Sequence, residues 1–150
     1  MKITVDILKH DKIGELNPHY DDEANVLEVG TNIDCIWFYG LDVDGSLIFD
    51  ANENRILVNI DLLIPKKYWE TSYDLPDVYK INSQKGIIQF SNDSIKTKSF
   101  NFPLKVYTDN NKKKVFIKIS DYVKPTLVEL SKSCYVYVKN NVLCGFLILL

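Results

Sequence analysis

Apolar and polar side chains alternate with a period of two along much of this chain, most densely between residues 20 and 65. That period sends successive side chains to opposite faces of a β-strand. Ile3, Val5 and Ile7 alternate with Thr4 and Asp6 and predict an opening strand. Residues 10–19 are polar, carry Gly14 and Asn17-Pro18, and read as a loop. Residues 25–29 predict a short strand closed by Gly30 and Asn32, and residues 33–39, β-branched and aromatic, a buried one. Asp44-Gly45, inside a turn over residues 42–46, is a strong hairpin signal. Residues 47–49 return, residues 50–54 turn again, and residues 55–64 alternate with Ile56, Val58, Ile60 and Leu62 on one side. Together these predict a meander of four strands.

Pro65 ends the ladder because proline has no N–H to donate. The aromatic-rich segment 65–79 reads as a surface loop laying Tyr68, Trp69 and Tyr73 over one end of the core. Further strands are predicted at residues 86–91, 99–102, 104–108 and 115–119, the last two joined by a lysine-rich loop at 109–114. Residues 122–131 permit either a short helix after Pro125 or extended chain. Residues 134–139 and 142–149 form a final hairpin across Asn140-Asn141, since asparagine tolerates the left-handed conformation of a tight turn. The expectation is one all-β domain over residues 1–150, an antiparallel β-sandwich or partly open barrel built from meanders. It has at most one or two short helices, and no internal repeat of useful period is visible.

With 150 residues, 46% hydrophobic and 25% charged, the chain is long enough for a core without staples. The alternating N-terminus does not read as a signal peptide, and the apolar run 142–150 is far shorter than the roughly 20 residues of a spanning helix. Cys35, Cys134 and Cys144 are widely spaced among apolar neighbours, which reads as reduced, buried thiols in a cytoplasmic protein. The formal charge of −2 hides an asymmetry: residues 1–80 carry −9 and residues 81–150 carry +7. Arg55 is the only arginine, which argues against nucleic acid as a partner because phosphate and guanine recognition lean on arginine.

Candidate chemistry is sparse. Asp50, Asn52, Asn54 and Asp61 have the spacing of a calcium loop, but Arg55 stands where such a loop needs glycine, and a polar β-turn explains the same residues. His10 and His19 lie near Asp11, Asp21 and Asp22, a set that suits a divalent metal or an acid–base pair but matches no metal-ligand spacing. No spacing singles out a pair of carboxylates for glycoside hydrolysis, and no nucleophile elbow or glycine-rich phosphate loop occurs. The lysines at 112–114, with Lys105, Lys118 and Lys124, read as a solubilising edge rather than an RNA contact. No cofactor is implied.

Tyr20-Asp21-Asp22-Glu23-Ala24-Asn25-Val26-Leu27 resembles the opening phrase of a family of small bacterial β-proteins of unknown function. Residues 50–63 resemble the phrase that closes the same motif, with Asn54 and Asn59 where that family has glycine and an added hairpin around Asp44-Gly45. The resemblance covers less than a third of the chain and implies a β-meander. In general character the chain also resembles the immunity proteins of bacterial toxin–immunity pairs, which are small, cytoplasmic, non-catalytic and often acidic.

The sequence therefore reads as a non-catalytic protein that binds another protein, in its most specific form an immunity protein neutralising a basic toxin domain. The expected contact residues are Asp42, Asp44, Asp50, Glu53, Glu70, Asp74 and Asp77, with Tyr68, Trp69 and Tyr73 as aromatic anchors and Tyr79 beside them. The alternatives are a metal-dependent hydrolase using residues 10–22 and a carbohydrate-binding accessory module with a flat, exposed platform at Tyr68 and Trp69.

Overall fold

The computed structural model describes residues 2–9, 15–31, 36–77 and 83–150. Among these the chain forms one six-residue α-helix, one three-residue 3-10 helix (Lys66–Tyr68) and fifteen strands, the strands arranged in three mostly antiparallel sheets, none closed into a barrel. The strands are β1 (Val5–Leu8), β2 (Leu16–Asp21), β3 (Val26–Thr31), β4 (Tyr39–Val43), β5 (Leu47–Ala51) and β6 (Leu57–Leu62). They continue with β7 (Glu70–Thr71), β8 (Ser83–Lys85), β9 (Ile87–Phe90), β10 (Ser99–Phe100) and β11 (Lys105–Thr108). The last four are β12 (Lys114–Lys118), β13 (Thr126–Ser131), β14 (Cys134–Lys139) and β15 (Val142–Leu149). The helix α1 (Asn92–Thr97) starts at Ser91, whose hydroxyl accepts from the Ser94 N–H at 3.1 Å, and stops at Lys98, where φ is +61°.

The six-stranded sheet runs β10-β4-β5-β6-β3-β2 and the seven-stranded sheet β7-β11-β12-β15-β14-β13-β8. Each contains the same five-stranded unit. A hairpin (β2-β3, β11-β12) is followed by a three-stranded meander (β4-β5-β6, β13-β14-β15) whose last strand returns to pair with the hairpin, a Greek-key order. The units recur roughly 87 residues apart, a longer interval than those of solenoid repeats. Even the irregularities correspond. Val58 is skipped where β5 meets β6, and Cys144 where β14 meets β15, a one-residue bulge at the same point of each unit. The period was invisible in the sequence because the units share strand order and inner-face hydrophobicity, not residue identity.

A ribbon of β1 and β9 joins the units, with Val5 opposite Phe90 and Ile7 opposite Ile88. Thr4 bridges to Val142 at the head of β15, and Gln89 bridges to Ile56 at the head of β6. The strand that precedes each unit thus attaches at the head of the last strand of the other, the reciprocal arrangement of a two-fold contact within one chain. Between the sheets lies a continuous apolar core from Leu27, Leu41, Phe49, Ile60 and Leu62 on one side to Ile117, Val136, Phe146 and Ile148 on the other. Phe49 sits 5.4 Å from Phe146 across the gap and 5.7 Å from Phe90. Burying each of these rings contributes about 3 kcal/mol.

Three sequence expectations are corrected. Residues 16–19 are not loop but part of β2, an edge strand where Pro18 is tolerated because its missing N–H faces no neighbour. The expected buried strand at 33–39 does not extend that way. Residues 33–35 lie outside the described residues, and Ile36, Trp37 and Phe38 are 80%, 58% and 60% exposed. Pairing between β4 and β5 ends at Tyr39 and Ala51, after which β5 turns away and leaves these side chains uncovered. Finally, the four-stranded meander has only three consecutive members, because β3 pairs with β6 rather than β4. Of the open alternatives, residues 126–131 are strand, and the hairpin across Asn140 and Asn141 has φ of +50° and +63° at the turn.

Candidate functional site

The outer face of the six-stranded sheet is built by the residues that the core leaves pointing outward. Cross-strand register aligns His19, Glu28, Asp61, Ile48 and Asp42 in one row and Asn17, Gly30, Asn59, Asp50 and Gly40 in the next. Four carboxylates thus sit on four adjacent strands of one face, and among the described residues none forms an ion pair. Gly30 matters sterically. A Cβ there would lie 2.9 Å from Asn59 Oδ1, so its absence lets the buried Asn59 lie flat and donate from Nδ2 to Asp50 Oδ2 at 3.1 Å. Burial raises the pKa of Asp50, the Asn59 hydrogen bond pulls it back, and the neighbouring Asp61 raises it again. Asp61 Oδ1 is buried with no hydrogen-bond partner among the described residues. Asp42 is held in place by the Gly45 N–H, which donates to its Oδ1 at 2.9 Å.

At one end of this face the chain enters β4 through Ile36, Trp37 and Phe38, three consecutive exposed apolar side chains. The Phe38 N–H donates to Ala51 O at 2.8 Å, and its ring meets Tyr39 edge-on at 4.8 Å. Sequence reasoning missed this cluster because the same residue types that fill a buried strand form it.

The residues expected at the contact surface are divided. Asp42 and Asp50 lie on the acidic face, Asp44 in the β4-β5 turn at φ +52°, and Glu53 in the β5-β6 turn at the opposite end of β5. Tyr68, Glu70, Tyr73, Asp74 and Asp77 instead follow the margin of the other sheet, where Glu70 pairs with Tyr107. Tyr68 and Tyr73 are 66% and 86% exposed, so they do not cover the core. Trp69 is buried, donates from Nε1 to Ile64 O at 2.8 Å and meets Tyr20 edge-on at 5.6 Å. It offers no face to a partner and no flat platform to a sugar, and is corrected to a core residue. The surroundings of Tyr68 are not acidic: Lys66 and Lys67 flank it, and the Lys112 ammonium donates to Lys66 O.

The seven-stranded sheet presents the opposite outer face. The corresponding rows read Tyr107, Phe116, Leu147, Tyr135 and Glu129, then Lys105, Lys118, Gly145, Tyr137 and Leu127. Phe116, Leu127, Tyr135, Tyr137 and Leu147 form a second apolar cluster against which Leu75 and Tyr122 pack. The Tyr137 hydroxyl is buried without a partner among the described residues, and burial pushes its pKa up. Burial likewise pushes the Cys134 thiol up to about 12, so it is an inert core residue. Cys134 and Cys144 are free and buried, and Cys35 lies outside the described residues.

His10, Asp11 and Tyr79 lie outside the described residues, while His19 stands on β2 opposite Glu28. Residues 10–22 are therefore not a single loop. Residues 50–61 form a β-hairpin whose turn closes when Asn52 Oδ1 accepts from the Asn54 and Ile56 N–H groups, with Arg55 at φ +64°. No group of three or more His, Cys, Asp or Glu side chains among the described residues converges as metal ligands. The phrases at residues 20–27 and 50–63 come together, since β3 pairs with β6. No family model matches the chain, and no curated protein sequence is similar to it.

Proposed function

We propose that this protein is a non-catalytic, cytoplasmic binding protein, specifically an immunity-type protein that neutralises a basic toxin domain. The contact surface is the outer face of the six-stranded sheet together with Ile36, Trp37 and Phe38. The observation that carries this reading is the group of carboxylates Glu28, Asp42, Asp50 and Asp61 on two adjacent rows of one face, none with an ion-pair partner among the described residues. A single-sign face steers an oppositely charged partner and speeds association, and adjoining exposed aromatics supply the desolvated anchors that slow dissociation. Compared with the residues that the sequence nominates, Asp42 and Asp50 stay in this surface and Glu28, Asp61, Ile36, Trp37 and Phe38 join it.

The test is retention of partners from an extract of the source cell on immobilised protein at low and raised salt. The expected result is a basic protein held at low salt, released as salt rises, and lost when Glu28→Gln, Asp42→Asn, Asp50→Asn and Asp61→Asn are combined. Retention unchanged by these substitutions, or no basic protein retained, overturns the proposal. Trp37→Ser is expected to increase the dissociation rate about tenfold or more if the aromatic is an anchor.

A further inference from the structure

The opposite outer face holds a pocket that the reading above does not use. Its volume is about 320 Å³, which accommodates a chemical group of about ten non-hydrogen atoms. Three aromatic rings line it: Tyr107 and Phe116, nearly parallel with centroids 6.5 Å apart, and Tyr122, which is stacked on Tyr137 at 5.5 Å. The charged residues lining it are Asp74, Lys118 and Asp121. Lys118 Nζ lies 2.7 Å from Asp121 Oδ1, and Lys105 acts on the same carboxylate from farther away. Asp74, by contrast, is exposed and has no ion-pair partner among the described residues.

Three aromatic rings and a carboxylate without an ion-pair partner among the described residues line one pocket, a combination suited to organic cations. The negative ring faces attract a diffuse positive charge, the carboxylate adds Coulomb attraction, and the weakly hydrated cation gives up its water cheaply. A small anion would meet the carboxylates of Asp74 and Asp121, with Lys118, the one lysine lining the pocket among the described residues, already paired. We propose that this pocket binds an organic cation of the quaternary ammonium class, free or carried on a peptide side chain. The position is specific to the second unit, because the first has His19 and Glu28 where the second has Tyr107 and Phe116.

Titration of the isotope-labelled full chain with choline, read by amide chemical shifts, tests the proposal. Saturable shifts are expected at Tyr107, Lys118 and Tyr122, with much weaker binding of the neutral tert-butyl analogue of choline. Asp74→Asn, an exposed change that leaves the core intact, is expected to weaken binding about threefold to tenfold, and Tyr122→Leu about fivefold to thirtyfold. A parallel titration with an acetylated trimethyllysine amide separates the two sources: tighter binding than choline points to a peptide side chain, equal or weaker binding to a free cation. Absence of saturable shifts with both cations, equal binding of the neutral analogue, or unchanged affinity in both variants overturns the proposal.

Discussion

The two sheets share strand order, bulge position and inner-face packing, yet their outer faces carry opposite chemistry. Where the first unit has Glu28, Asp61, Ile48 and Asp42 in a row, the second has Phe116, Leu147, Tyr135 and Glu129. The inner residues at matching positions stay apolar because both sheets must bury one face against the other. The outer residues have no such obligation, so they are free to follow what covers them. On the seven-stranded sheet Leu75 and Tyr122 pack over an aromatic cluster, and outward-pointing side chains become a second core. On the six-stranded sheet Glu28 is exposed and Asp42, Asp50 and Asp61 are half-buried. A shared backbone plan therefore fixes which positions point outward, while the covering chain decides whether outward means solvent.

Exchanging a matched pair of outer-face residues has the largest expected effect. Leu147 is fully buried and Asp61 is its counterpart. Leu147→Asp is expected to cost about 4 kcal/mol in chemical denaturation, because it buries a charge with no partner. Asp61→Leu should change stability by no more than about 1 kcal/mol, since it removes a buried oxygen that has no hydrogen-bond partner among the described residues.

Glycine gives the next effect. A Cβ on Gly145 would lie 2.6 Å from Ile117 O, which is backbone and cannot yield, so Gly145→Ala should lose about 3 kcal/mol. At Gly30 the obstacle is the Asn59 side chain, which can rotate, and Gly30→Ala should lose about 1 kcal/mol. Equal losses at the two glycines would contradict this distinction between backbone and side-chain obstacles.

Smaller still, Tyr137→Phe removes a buried hydroxyl with no partner among the described residues and is expected to raise stability by about 1 kcal/mol. A loss of stability instead would mean that the hydroxyl is hydrogen-bonded in solution.

The smallest effect concerns Asp50. Its pKa is raised in the folded protein, so the native state holds the proton more tightly than the unfolded chain, and this group's contribution falls as pH rises through the carboxylate range. Asp50→Asn should therefore raise the melting temperature more at neutral pH than below the carboxylate range. A gain independent of pH would indicate that packing, not ionisation, is responsible.

Local chemistry alone determined much of this protein. Alternation with a period of two, the Asp44-Gly45 turn and the Asn140-Asn141 turn depend on neighbours in sequence, and β5, β6, β14 and β15 stand close to where those signals put them. Two of the expected contact residues, Asp42 and Asp50, also share a face because alternation sends both outward. Only the tertiary structure decided the rest. The pairing of β3 with β6 and of β12 with β15 joins segments whose order no local signal encodes, and with it comes the duplicated unit. Exposure was decided there too: Trp69 is buried and Trp37 exposed, although both sit among aromatic neighbours in sequence. A side chain's burial depends on what the rest of the chain brings over it, and that is a property of the assembled sheets rather than of the residues beside it.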